Sequence, residues 1–185
     1  MMRARNWLVA AAILTTSFLG VPAFAAPLVP VEVQLALFVN IWKLDHNFAR
    51  PGGVTVGIIY QEELRESVLV KEELVAAAER LAIRTEPMPV DSEELMVRRL
   101  AETHADVIYV APLRAIDIGA IARITRQRGL RTVTGVPEYV DSGLAVGIGL
   151  RKSRPLIIIN LVAARAEGAA FSSQLLNLAR IVGPL

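Results

Sequence analysis

Two short runs of branched and aromatic residues, VTVGIIY (54–60) and ADVIYVAP (105–112), set the strongest limit on how this chain folds. A strand with one wet face alternates apolar and polar residues. These runs do not alternate, so they read as strands covered on both faces. Helical segments stand between and around them. VEVQLALFVNIWKL (31–44) carries a broad apolar face, and EELRESVLVKEELVAAAERLA (62–82) combines helical spacing with Glu/Lys/Arg pairs one turn apart. Asp91 is placed to cap a further helix, SEELMVRRLAETH, and AIDIGAIARITRQRG closes on Gly129. IRTEPMPV (83–90) is a weaker strand, because Pro87 and Pro89 fit only a sheet edge.

The later segments continue the alternation. RTVTGV (131–136) is a short strand, PEYVDSG a turn or short helix, and LAVGIGL (144–150) another strand. The polar turn RKSR then joins LAVGIGL to PLIII, which predicts an antiparallel hairpin. The expected fold is α/β: a single domain with a mixed, mostly parallel sheet, helices on both faces and a C-terminal antiparallel hairpin.

The first 25 residues read as a signal peptide. Arg3 and Arg5 form a basic head, Trp7 to Gly20 is almost continuously apolar, and Ala23-Phe24-Ala25 has the small-x-small pattern of a cleavage site before Ala26. The apolar core falls short of the roughly 20 residues a membrane span needs; an uncleaved anchor is the alternative. Cleavage leaves residues 26–185 as one α/β domain in an exported, periplasmic chain.

Composition then excludes chemistry. There is no cysteine, so disulfides, thiol catalysis and zinc–thiolate sites are ruled out. His46 and His104 are the only histidines, and neither has a metal-spaced partner. No serine sits in a nucleophile-elbow context, and no glycine loop follows VTVGIIY to cradle a phosphate. Gly147 and Gly149 fit close packing in a strand better than a nucleotide loop. The reading is a protein without catalytic residues, cofactor or metal.

Charge is polarised. Residues 26–113 hold 8 basic and 14 acidic side chains, while 114–185 hold 10 and 4. The two halves balance, so nucleic acid is not the expected partner. Arg123, Arg126, Arg128 and Arg131 fall at the end of a helix, where cations are favoured for structural reasons alone. Arg151, Lys152 and Arg154 cluster on the hairpin tip as candidate partner contacts, although a basic tip also blunts edge pairing. Glu62 and Glu63 lie just past the carboxyl end of a strand, with Arg114, Thr134 and Tyr139 at matching ends of neighbouring strands. Open α/β sheets bind ligands there, so these five form a candidate small-ligand pocket.

Residues 143–182, GLAVGIGLRKSRPLIIINLVAARAEGAAFSSQLLNLARIV, resemble the C-terminal signature of the YfiR-like periplasmic family. A Gly-rich strand, a polar turn and a strand ending Ile159-Asn160 lead into a small-residue helix, then Ser172-Ser173-Gln174-Leu175-Leu176. FVNIWKL, GIIY and ADVIYVAP resemble the family's first helix and early strands. The signature residues have structural readings. Asn160 caps LVAARA, Gly168 ends that helix, and Ser172 or Ser173 caps a last helix whose Leu175, Leu176, Leu178 and Ile181 face the sheet. The resemblance implies a regulator, often homodimeric, that holds the periplasmic sensor domain of a membrane signalling protein inactive, most characteristically a diguanylate cyclase. The alternative is a periplasmic small-ligand-binding module related to solute-binding proteins.

Overall fold

In the computed structural model, which describes residues 29–114 and 116–183, the two apolar runs lie in the interior of one sheet. The chain runs α1 (Val31–Lys43), β1 (Thr55–Tyr60), α2 (Arg65–Arg80), β2 (Arg84–Pro89), α3 (Glu93–Glu102), β3 (Val107–Val110) and α4 (Ile118–Arg128). It continues β4 (Arg131–Thr134), α5 (Glu138–Asp141), β5 (Val146–Arg151), β6 (Arg154–Asn160), α6 (Leu161–Ala166), α7 (Ser173–Leu178) and β7 (Arg180–Val182). The strand order is β2-β1-β3-β4-β5-β6-β7. The first five strands are mutually parallel, β5 and β6 pair antiparallel, and β6 and β7 pair parallel. The α/β class and the terminal hairpin are as expected. The leader read from residues 1–25 lies outside the described residues.

Burial on both faces explains why β1 and β3 show no alternation. Val56 and Ile58 of β1 and Val107 and Tyr109 of β3 join a core with Leu35, Phe38 and Leu74 from α1 and α2. Their pleat neighbours Ile59, Ile108 and Val110 join a second core with Met96 and Leu100 of α3 and Ile121 of α4. Each buried aliphatic side chain stabilises by about 1.5–3 kcal/mol. Gly57 faces the second core, and a Cβ there would fall 2.7 Å from Met88 Cε. β2 is an edge strand, as Pro87 and Pro89 require.

Two details differ from the sequence reading. Ser92, not Asp91, caps α3: its Oγ accepts from Leu95 N at 3.3 Å, while Asp91 accepts from Ser92 Oγ at 2.8 Å. The helix begins at Glu93, and the N-cap is the residue immediately before the first helical one, two or three positions ahead of the N–H it satisfies. The last helix stops at Leu178. Ala179 turns extended (φ −98°, ψ 152°), and Ile181 pairs with Ile159 in β7 instead of continuing a helical face. Leu178, 66% exposed, does not face the sheet. Free backbone groups along β6 outcompete one more helical turn.

Two buried carboxylates join distant parts of the chain. Asp45 accepts from Asn47 N at 3.0 Å, Ala170 N at 2.8 Å and Arg131 Nε at 3.4 Å. Arg131 also donates to the carbonyls of Asn47 and Gly168 and stacks over Phe48. Glu167, at the end of α6, accepts from Thr132 N at 2.8 Å and Thr132 Oγ1 at 2.7 Å. Burial pushes its carboxyl up to about 8, against the opposing pull of the Thr132 bonds and the charges of Arg126 and Arg131.

Candidate functional site

The carboxyl ends of β1, β3, β4 and β5 share one edge of the sheet, and the loops leaving them are held by specific bonds. Gln61, buried after β1, donates its backbone N–H to Ser67 Oγ at 2.9 Å and accepts from Arg114 N at 3.0 Å. Tyr139, on α5, accepts from Leu113 N at 2.8 Å and donates to Leu113 O at 3.0 Å. Burial raises its hydroxyl above the ordinary tyrosine range, so it remains a donor. The β3–α4 loop is therefore gripped from both sides. Beneath it, Tyr109 donates to Gln34 Oε1 at 2.9 Å and Gln34 donates to Val29 O at 2.7 Å. Burial drives the Tyr109 hydroxyl far up as well. Gly135 passes so close to the Gln34 amide that a Cβ would overlap it.

Above this base lies a cleft of about 640 Å³. Leu113, Val136, Leu156 and Ile158 give it an apolar floor, and Arg114, Arg151 and Arg180 reach it from three separate segments. Glu66 and Glu138 are the acidic residues of its lining. A second cleft of about 580 Å³, between the first turns of α1 and α2, shares Val29, Leu64, Glu66 and Arg114 with it. Among the described residues, Arg114, Arg151 and Arg180 form no ion pair, whereas Arg50, Arg80, Arg123 and Arg131 do.

The five residues expected to form a ligand pocket are not brought together. Arg114 and Tyr139 line the main cleft. Glu62 and Glu63 line a separate depression with Asp91 and Arg99, nearer the β2 edge. Thr134 is buried, donating to Val110 O at 2.8 Å and accepting from Val136 N at 3.1 Å, so its hydroxyl serves the strand end. On the hairpin, Arg151, Lys152 and Arg154 are all exposed, and Lys152 and Ser153 form the turn with φ of 50° and 61°. Arg151 also belongs to the main cleft, which links the hairpin to it. Arg180 enters the cleft from β7, a placement that the helical pattern of residues 173–181 does not signal.

The signature residues sit at element ends. Asn160 accepts from Ala163 N at 3.0 Å and donates to Val140 O at 3.2 Å, so it caps α6 and ties it to α5. Ser172 caps α7 through Leu175 N at 3.3 Å, and Ser173 and Gln174 open that helix with exposed side chains. Gly168, at φ +84°, follows α6. His46 and His104 are exposed and far apart in the chain. No cluster of three or more His, Cys, Asp or Glu residues suited to a metal occurs among the described residues. No described helix is long and apolar enough to cross a membrane.

A mostly parallel sheet with loop-built clefts at its carboxyl edge places the chain in the α/β class, and solved structures share the fold. A conserved domain protein from Vibrio cholerae aligns with a TM-score of 0.67 and 17% identity, over 83% of this chain and 60% of its own. An ABC domain from Streptococcus pneumonia in complex with L-Trp gives 0.66 and 15%, over 83% and 62%. The substrate-binding protein CD0873 from Clostridium difficile, which has adhesive properties, gives 0.65 and 16%, over 85% and 61%. This chain thus spans about three-fifths of each of those structures. At these identities the likeness is one of fold. No curated protein matches the sequence. Residues 62–180 match the model of the YfiR/HmsC-like family (DUF4154), and the chain belongs to that family. The family is one of periplasmic regulators, not of enzymes.

Proposed function

We propose that this protein is exported through its N-terminal leader and acts without catalysis, binding the periplasmic sensor domain of a membrane signalling protein and holding it inactive. The observation that carries this reading is the family match over residues 62–180. Arg114, Arg151 and Arg180 at the carboxyl edge, which form no ion pair among the described residues, support it, because exposed cations can meet acidic groups on a partner. A diguanylate cyclase is the expected partner class. The test is a pull-down of a candidate sensor's periplasmic domain, with cyclic di-GMP measured in a deletion strain. Capture together with raised cyclic di-GMP on deletion is expected. Absence of both sinks the reading.

A second reading is favoured by one observation, the 640 Å³ cleft at the edge where open α/β sheets bind ligands. On that reading the protein is a small-ligand-binding module related to the substrate-binding proteins whose fold it shares. A ligand that raises the melting temperature while no sensor domain is captured would select it.

A further inference from the structure

The clefts of about 640 and 580 Å³ adjoin. They share Val29, Leu64, Glu66 and Arg114, and together they run along the carboxyl edge from the β5–β6 hairpin to the first turns of α1 and α2. Leu150, 37% exposed, stands at one end and Leu69, 46% exposed, at the other. Between them the floor is apolar and rigid, because Gln61, Tyr139 and Gln34 fix the loops that form it. Arg114, Arg151 and Arg180, which form no ion pair among the described residues, border the hairpin half, where Glu66 and Glu138 also stand, and Arg65 and Glu73 line the other half. A compact metabolite would fill one cleft and leave the other, with its exposed Leu69, empty. An extended polypeptide suits both, since its side chains alternate with a period of two and can set apolar groups down and acidic groups against the rim.

We infer that this groove receives an extended segment of the partner protein in which apolar and acidic residues alternate. The inference rests on the docking reading above and adds to it the face used and the chemistry recognised. Arg114 and Arg180 hold the acidic side chains, while Leu69, Leu156 and Ile158 hold the apolar ones. The hairpin tip, continuous with the groove through Arg151, extends the basic border.

The test uses the full chain and a fluorescein-labelled octapeptide alternating Leu or Val with Asp or Glu, followed by fluorescence polarisation. A version with Lys in place of every acidic residue, and sodium citrate, are the other probes. The acidic peptide is expected to bind, more weakly as salt rises, and the Lys version to fail. Arg114→Ser with Arg180→Ser should weaken binding by roughly tenfold or more, as loss of interface arginines does. Leu69→Ser should weaken it separately, and unchanged circular dichroism should confirm that the fold survives. Equal binding of the Lys peptide, or wild-type affinity in the double variant, overturns the groove. So does displacement of the peptide by citrate at a constant ionic strength, which marks a small-anion site. The double variant also enters the sensor pull-down. Capture equal to wild type leaves docking standing and discards the groove, whereas peptide binding without capture of any sensor discards the docking reading.

Discussion

Replacing Glu167 by Gln should make the fold more stable at neutral and alkaline pH, which is the reverse of the usual result of removing a buried, hydrogen-bonded carboxylate. Glu167 is fully buried, and burial pushes its carboxyl from the ordinary 4.5 up to about 8. A folded-state pKa above the unfolded one means that the folded chain holds the proton more tightly. The contribution is therefore fully favourable below the unfolded value and is lost as pH rises towards the folded one. Each pH unit separating the two values is worth about 1.36 kcal/mol, so the loss between pH 5 and pH 8 approaches roughly 3–4 kcal/mol as an upper figure. Gln reproduces the neutral acid: its carbonyl can accept from Thr132 N, and its amide can donate to Thr132 Oγ1 once that hydroxyl turns its proton away, the two atoms now being at 2.8 and 2.7 Å. Urea denaturation of both proteins at pH 5, 6, 7 and 8 reads the effect. The two should be nearly equal at pH 5 and diverge in favour of the variant as pH rises. Parallel curves would refute the buried neutral acid. A variant that loses ground with rising pH would show a charged Glu167 paired with Arg126 and Arg131.

Asn160→Ala should destabilise by about 2 kcal/mol, the upper end for a helix cap, because the bond to Val140 is lost as well; unchanged denaturation midpoints with lost partner binding would give Asn160 a functional role instead. Asp45→Ala should cost about 3–5 kcal/mol, since Arg131 would stay largely buried without its counter-charge, and thermal melting checks it. Reversing Arg151, Lys152 and Arg154 should leave the melting temperature unchanged while slowing sensor association and flattening its salt dependence in stopped-flow traces, because exposed charges act mainly on encounter. The intact mass of periplasmic protein should correspond to a chain beginning at Ala26; Met1 retained in a membrane fraction would contradict cleavage.

The parts of this molecule legible from sequence were those fixed by local chemistry. Pro87 and Pro89 placed β2 at an edge because they lack the N–H an inner strand donates. Asn160 announced its cap because a side-chain acceptor at the passage from strand to helix has one obvious use. β7 escaped, since Arg180–Val182 is only a short run after a helix and becomes a strand through the open side of β6. The site was half legible. Strand ends pointed to Arg114 and Tyr139, but whether an end residue faces the cleft or the interior depends on the local pleat, and Thr134 falls inside. Arg180 reaches the cleft only because β7 exists. Nothing local separates Asp45 and Glu167 from solvated acids; their burial follows from contacts made across the fold.

Asp45 has a consequence for the order of events in folding. Its carboxylate, just past α1, is satisfied by Arg131 and by the amide of Ala170, which stands 125 positions later. The anchor for the C-terminal end of α1 is therefore missing until nearly the whole chain is available, and closing so long a loop is slow. Until then α1 cannot settle with its full set of bonds over Tyr109, and the first core lacks its lid. The export proposed above would gain from such a delay, because a chain is threaded across a membrane unfolded and this clasp would be among the last pieces to arrive.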